Sequence, residues 1–145
     1  MCGFVGFTGH LVGGDEILKN MMDTIIHRGP DSAGTHIDSD VSLGFRRLSI
    51  IDLDSGTQPM YNETNDIVIV FNGEIYNYQE LKKDLIEKGH VFRNNSDTET
   101  LIHSYEEYGE AMLDRLRGMF AFVIWDGKKK KLFAARDFFG IKPFY

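Results

Sequence analysis

A cysteine at position 2, followed by glycine, is the residue whose place in the chain most directly suggests chemistry. Removal of an initiator methionine favours a small second residue, and loss of Met1 would put the Cys2 thiol and a free α-amine on one residue. Such an amine, with a reference pKa of about 7.7 to 8.0, is partly neutral near pH 7 and can take the thiol proton directly or through water. No histidine partner is then required. Position alone favours a buried or incidental thiol, so the other polar groups of the chain carry the argument.

Asn72 and Gly73 follow the apolar run Ile67 to Phe71. The dipeptide commonly makes a tight hairpin turn, but here Glu74-Ile75-Tyr76-Asn77 and a helical pattern come next, so the Asn72 amide and the Gly73 N–H could instead converge as an oxyanion hole. Arg47, just past another strand-like run, could grip a carboxylate with two parallel hydrogen bonds or simply be a surface arginine. Asp97 opens a helix, where the dipole would favour its ionised form and let it receive an ammonium group, although such aspartates are often only structural. Together these are the groups a free amino acid with a side-chain amide would need.

Other chemistries lack support. His10, His27, His36, His90 and His103 show no metal-ligand spacing with one another or with Cys2, so no metal site is expected. A Walker-type phosphate loop is missing, and Gly13-Gly14 is too short to replace it. The net charge of −6 disfavours nucleic-acid and anionic-membrane partners. A single cysteine precludes an intramolecular disulfide. With no signal peptide or membrane span in view, a cytoplasmic setting is the expectation.

The elements that must hold these groups fit one domain, since 145 residues with 42% hydrophobic content suffice for a core. Gly3 to Phe7 reads as a strand, and Asp15 as the cap of a helix with Leu18, Met21, Met22 and Ile25 on one face, ending before Pro30. Val41 to Phe45 and Ile67 to Phe71 read as strands, separated in part by a long irregular stretch, Ile51 to Asp66. Tyr78 to Lys88 is helical with Gly89 beyond its end, and Ser96 with Glu99 forms a capping-box signature. Met119 to Trp125 is almost continuously apolar and turns through Asp126-Gly127 and Lys128 to Lys131 into Leu132 to Ala135, a buried hairpin with a solvated lysine turn. Strands covered on both faces allow either a helix-sheet-sheet-helix stack or a three-layer one. Aromatic residues persist to Tyr145, as in a chain cut from a longer protein.

Read as a whole, the sequence resembles the glutaminase domain of class II glutamine amidotransferases, and among them glutamine-hydrolysing asparagine synthetases. The resemblance rests on Met1-Cys2-Gly3, His27-Arg28-Gly29-Pro30-Asp31, Arg47 through Leu53, Gln58-Pro59, Phe71 through Asn77, Ser96-Asp97-Thr98-Glu99, and Arg136-Asp137 through Gly140-Ile141-Lys142-Pro143. It implies an α+β N-terminal nucleophile hydrolase fold, a four-layer αββα sandwich of two antiparallel sheets, over residues 1–145. It also implies that Cys2 attacks the amide of L-glutamine, that Asn72 and Gly73 hold the oxyanion, and that Arg47 grips the α-carboxylate. Asp97 and Glu74 would hold the α-ammonium group, and the backbone of Leu48, Ser49, Ile50 and Ile51 would line the pocket.

No cofactor is expected in this domain. ATP and Mg would belong to a C-terminal synthetase domain, absent from this chain, that makes asparagine from aspartate and receives the ammonia. A homodimer is the assembly left open. Two positions depart from the pattern: Phe45 stands where such sequences often carry histidine, and Phe138 where arginine is common. Another class II amidotransferase, or a catalytically silent glutamine-binding domain that retains Met1, are the alternatives.

Overall fold

The computed structural model describes residues 2–48 and 57–145. Strands β1 (Gly3–Thr8), β2 (Ser32–Ile37) and β3 (Val41–Arg47) form an antiparallel sheet in the order β1-β3-β2. Strands β4 (Met60–Tyr61), β5 (Ile67–Ile75), β6 (Gly118–Asp126) and β7 (Lys131–Arg136) form a second antiparallel sheet in that order. Helix α1 (Gly14–Thr24) packs on the first sheet, whereas α2 (Tyr78–Glu87) and α3 (Asp97–Tyr108) cover the second. The result is the four-layer arrangement, not the three-layer one.

Side-chain alternation explains the layering. Along β5, Ile67, Ile69, Phe71 and Ile75 face the α2/α3 layer with Phe120, Phe122 and Ile124 of β6. The intervening Val68 and Val70, with Val123 and Trp125, meet Val41, Leu43 and Phe45 of β3 in a core between the sheets. Near-continuous apolar runs on β5 and β6 are therefore required, because both faces are covered. Phe45, one of the two departures, is 2% exposed and fills this inter-sheet core. On the outer face of β3, Gly44 lets α1 close in: a Cβ there would lie 2.6 Å from the Met22 side chain.

Several expectations change in detail. Asp15 does not cap α1; Gly13, in the left-handed region at φ 73°, occupies that position and Asp15 lies in the first turn. Glycine adopts that conformation without steric cost, and the chain needs it to enter the helix. The hairpin of β6 and β7 is buried only along β6, since β7 is the edge strand and alternates exposed and half-buried residues. Strand β2 and the two-residue β4 are additional to the expected elements, the latter inside the stretch expected to be irregular, of which residues 51–56 lie outside the described residues. The lysine turn is solvated as expected, and each lysine meets a carboxylate: Lys128 with Asp66, Lys129 with Asp126, Lys130 with Asp40 and Lys131 with Glu110. Among the described residues, no helix is long and apolar enough to cross a membrane.

Candidate active site

Cys2 immediately precedes β1 and packs against the inter-sheet core. Because Gly3 pairs with Arg46 across the β1/β3 ladder, Cys2 comes alongside the end of β3, and its thiol settles on the backbone of Leu48. The Leu48 N–H donates to Sγ at 3.4 Å, and Sγ lies 3.8 Å from the Leu48 carbonyl. Arg28, in the short 3-10 turn after α1, donates through Nε to the Cys2 carbonyl at 3.2 Å. Cys2 is therefore held from two sides. Met1 lies outside the described residues.

Arg47 closes β3. Alternation places it on the same face as Val41, Leu43 and Phe45, while Arg46 points the other way to the Met22 carbonyl and Asp23 of α1. It lines a cavity of about 480 Å³ with Asp31, Thr57 and Gln58. Leu48, its neighbour, is described; Ser49, Ile50 and Ile51, expected to line the same pocket, lie outside the described residues.

Asn72 and Gly73 are not in a turn but inside β5, paired with Ala121 and Phe120 of β6. The Asn72 side chain is buried on the inter-sheet face, where it lines a cavity of about 560 Å³ together with Gly3 and Arg28. Backbone alternation places the Gly73 N–H. Ile67 and Ile69 meet Asn62 and Met60 on the β4 side, and beyond β4 the same side is closed by side chains. The Phe71 N–H donates to Gln58 Oε1 at 2.6 Å, and the Ile75 N–H to Asp97 Oδ2 at 3.1 Å. The Gly73 N–H, between them in the alternation, is directed to that same edge. Glycine is needed because a Cβ at residue 73 would collide with the Met119 carbonyl and come within 2.7 Å of the Phe120 Cα.

Asp97 is the first residue of α3, with Ser96 as N-cap accepting from the Glu99 N–H at 3.2 Å. The capping box is only half made: Glu99 turns its carboxylate to the N–H groups of Arg93 and Asn94 instead. For Asp97 the expected preference for the ionised form is reversed. Burial pushes its carboxyl above the ordinary carboxylate range and the neighbouring Glu74 charge adds to this, outweighing the hydrogen bonds from the backbone of Ile75 and Thr98. Glu74 itself is exposed.

The groups named from the sequence are thus joined by a short path of contacts. Cys2 rests on Leu48, next to Arg47; Arg47 shares a cavity with Gln58; Gln58 bonds Phe71, beside Asn72; and Asp97 bonds Ile75, two residues past Gly73. Two positioning residues were not singled out. Arg28 lay within a motif read as turn chemistry, and only the fold shows that it reaches Cys2. Gln58, 8% exposed, follows a stretch without periodicity and precedes a proline across a cis bond. It ties β5 to α3 through Phe71 and, at 3.5 Å, the Thr98 hydroxyl.

The family described as glutamine amidotransferase domain matches the chain over residues 1–145. The chain belongs to that family. Among curated relatives, this amidotransferase domain is 51% identical over 150 residues to asparagine synthetase [glutamine-hydrolyzing] 1 of Bacillus subtilis, covering 100% of the chain and 24% of the relative. It is 52% identical over 119 residues to asparagine synthetase [glutamine-hydrolyzing] 2 of Oryza sativa subsp. japonica, covering 82% of the chain and 20% of that relative. The domain therefore spans about a quarter or less of the length of these relatives. A solved structure of glutamine phosphoribosylpyrophosphate amidotransferase from B. subtilis superposes with a TM-score of 0.74 over 94% of the chain and 37% of its own, at 21% identity. At that identity the likeness bears on the fold, and it agrees with the two-sheet sandwich.

Proposed function

We propose that this domain hydrolyses L-glutamine to glutamate and ammonia through a thioester on Cys2. The observation that carries the reading is the Cys2 thiol lodged on the Leu48 backbone beside the inter-sheet core, in a chain of the glutamine amidotransferase family. Removal of Met1 frees the Cys2 amine, which takes the thiol proton directly or through water. The thiolate attacks the amide carbon of glutamine, and the carbonyl oxygen becomes an oxyanion held by the Asn72 side chain and the Gly73 N–H. Collapse of this intermediate, with a proton delivered to nitrogen, expels ammonia and leaves the glutamyl thioester. Water then attacks the thioester through a second oxyanion at the same donors, releasing glutamate and restoring the thiol.

Arg47 binds the substrate carboxylate, and Asp97 with Glu74 receives its ammonium group. A cationic partner offsets the burial that holds the free Asp97 carboxyl above its usual range, so substrate binding and Asp97 ionisation reinforce one another. Arg28 fixes the Cys2 carbonyl, so the nucleophile attacks from a set position. The identity to glutamine-hydrolysing asparagine synthetases supports a longer protein in which the ammonia is used to make asparagine from aspartate. There, ATP and Mg would act in the synthetase portion and not in this domain.

The test combines intact mass with glutamate release. Chains lacking Met1 release glutamate from glutamine, chains retaining it do not, and Cys2→Ala abolishes turnover. Equal hydrolysis of asparagine or of N-acylated glutamine would overturn the assignment of Arg47 and Asp97 to the two ends of the substrate.

A further inference from the structure

At the opposite end of α3 from Asp97, the fold gathers histidines that are far apart in the sequence. His90 lies just beyond α2, and His103 and Glu106 stand one turn apart on α3; each offers a ligand atom, and the three lie within 4.8 Å of one another. Glu106 Oε2 is 2.8 Å from His103 Nδ1 and 3.7 Å from His90 Nδ1. The other Glu106 oxygen accepts from Asn62 Nδ2 at 2.8 Å, which fixes the carboxylate and turns Oε2 toward the two rings.

The outer face of each ring is also occupied. His90 Nε2 is 3.2 Å from Glu107 Oε2, and His103 Nε2 is 3.4 Å from Glu63 Oε1. His103 is only 2% exposed, and its Nε2 makes no aligned hydrogen bond among the described residues. A neutral imidazole has one N–H, so a histidine with carboxylates at both nitrogens must set a lone pair against one of them. A cation at the inner nitrogens removes that conflict, because each outer nitrogen then carries the proton and faces its carboxylate. This is the way metal-bound histidines are ordinarily oriented.

We propose that His90, His103 and Glu106 form a binding site for one divalent transition-metal ion of the zinc type, with Glu107 and Glu63 orienting the two rings. Imidazole and carboxylate ligands suit such an ion, and a fourth position stays open to water. Tetrahedral ligands about 2.0 to 2.1 Å from zinc stand roughly 3.3 Å from one another, so the His90 ring draws in while His103 Nδ1 and Glu106 Oε2 ease apart. His90, on the chain between α2 and α3, is the ligand free of helical constraint. The bound ion would clip that connection to α3 and, through Glu63, to the segment between β4 and β5.

The test uses the 145-residue chain carrying Cys2→Ser, which removes the competing thiol, titrated with zinc chloride by calorimetry and with cobalt(II) by absorption spectroscopy. One equivalent should bind, raise the unfolding temperature and give the visible bands of cobalt in a nitrogen and oxygen site. His90→Gln should remove binding, Glu107→Gln should weaken it by about 10- to 100-fold, and His10→Gln should change nothing. Glu106→Gln should act like His90→Gln, and if it fails to fold the His90 variant decides. Absence of saturable binding would overturn the proposal and leave the cluster as imidazoles packed among carboxylates. Undiminished binding in His90→Gln would overturn it by placing the ion elsewhere.

Discussion

Asp97→Asn should separate what Asp97 does for the fold from what it does for the substrate. The Ile75 N–H that Asp97 accepts at 3.1 Å can be accepted equally by an asparagine oxygen, so the junction of β5 and α3 survives the change. The charge does not. Burial, then the adjacent Glu74, holds the Asp97 carboxyl above its ordinary range, so the folded chain binds this proton more tightly than the unfolded chain does. Stability therefore falls as pH rises from the ordinary carboxylate range through the raised value, and above it the ionised group is a fixed cost to the native state. Asp97→Asn removes that cost and should unfold at a higher temperature than the parent at neutral pH, with the gap closing as pH falls below the ordinary carboxylate pKa. Its effect on glutamine has the opposite sign. A hydrogen bond to a charged group contributes about 1.5 to 3 kcal/mol, and with the Glu74 charge still nearby the lower half of that range applies. At about 1.4 kcal/mol per tenfold, kcat/KM should drop about 10- to 40-fold, chiefly through KM. Thermal unfolding across pH and steady-state glutamate release check the two halves. An unchanged KM would refute the substrate role, and a variant less stable than the parent at neutral pH would refute the electrostatic argument.

Asn72→Ala should lower kcat by about 10² to 10³ with little change in KM, measured by glutamate release on a variant whose circular dichroism matches the parent. Gln58→Leu strands the buried Phe71 N–H, and urea unfolding should report a loss of about 1 to 3 kcal/mol. Burial alone would raise the Asp137 carboxyl, but the N–H groups of Lys142, Ile141 and Phe120 more than offset it and hold it below the usual range. Its contribution is therefore complete above the ordinary carboxylate pKa and fades as pH falls through the lower folded value. The stability deficit of Asp137→Asn, followed by thermal unfolding, should be full at neutral pH and shrink only in strong acid.

The layered core was legible because burial on both faces leaves a plain mark, as along Ile67 to Phe71 and Met119 to Trp125. Strand β2, Ser32–Ile37, left no such mark: it alternates exposed and half-buried residues and is held by pairing with β3. The capping signature at Ser96 located α3, yet Glu99 chose other partners, since local pattern fixes where a helix starts and tertiary contacts decide where a long side chain goes. Cys2, Arg47, Asn72 and Asp97 could be named because their chemistry is rare in combination. Arg28 and Gln58 could not be given roles, because each acts on a backbone atom far along the chain. His90 and His103 were hidden for the same reason, being neighbours only after α2 and α3 pack.

The border of β5 beyond β4 has a meaning outside catalysis. A strand border that displays a row of free N–H groups invites pairing with any extended chain, and proteins block such borders or aggregate through them. Here β4 ends after two residues, and Gln58 and Asp97 then occupy the N–H groups of Phe71 and Ile75 on either side of Gly73. A foreign strand cannot dock, because it would have to displace the buried Gln58 and the half-buried Asp97, the latter anchored at the start of a helix. The Gly73 N–H lies between them in the alternation, so the side chains that guard against misassociation are also the ones that flank it.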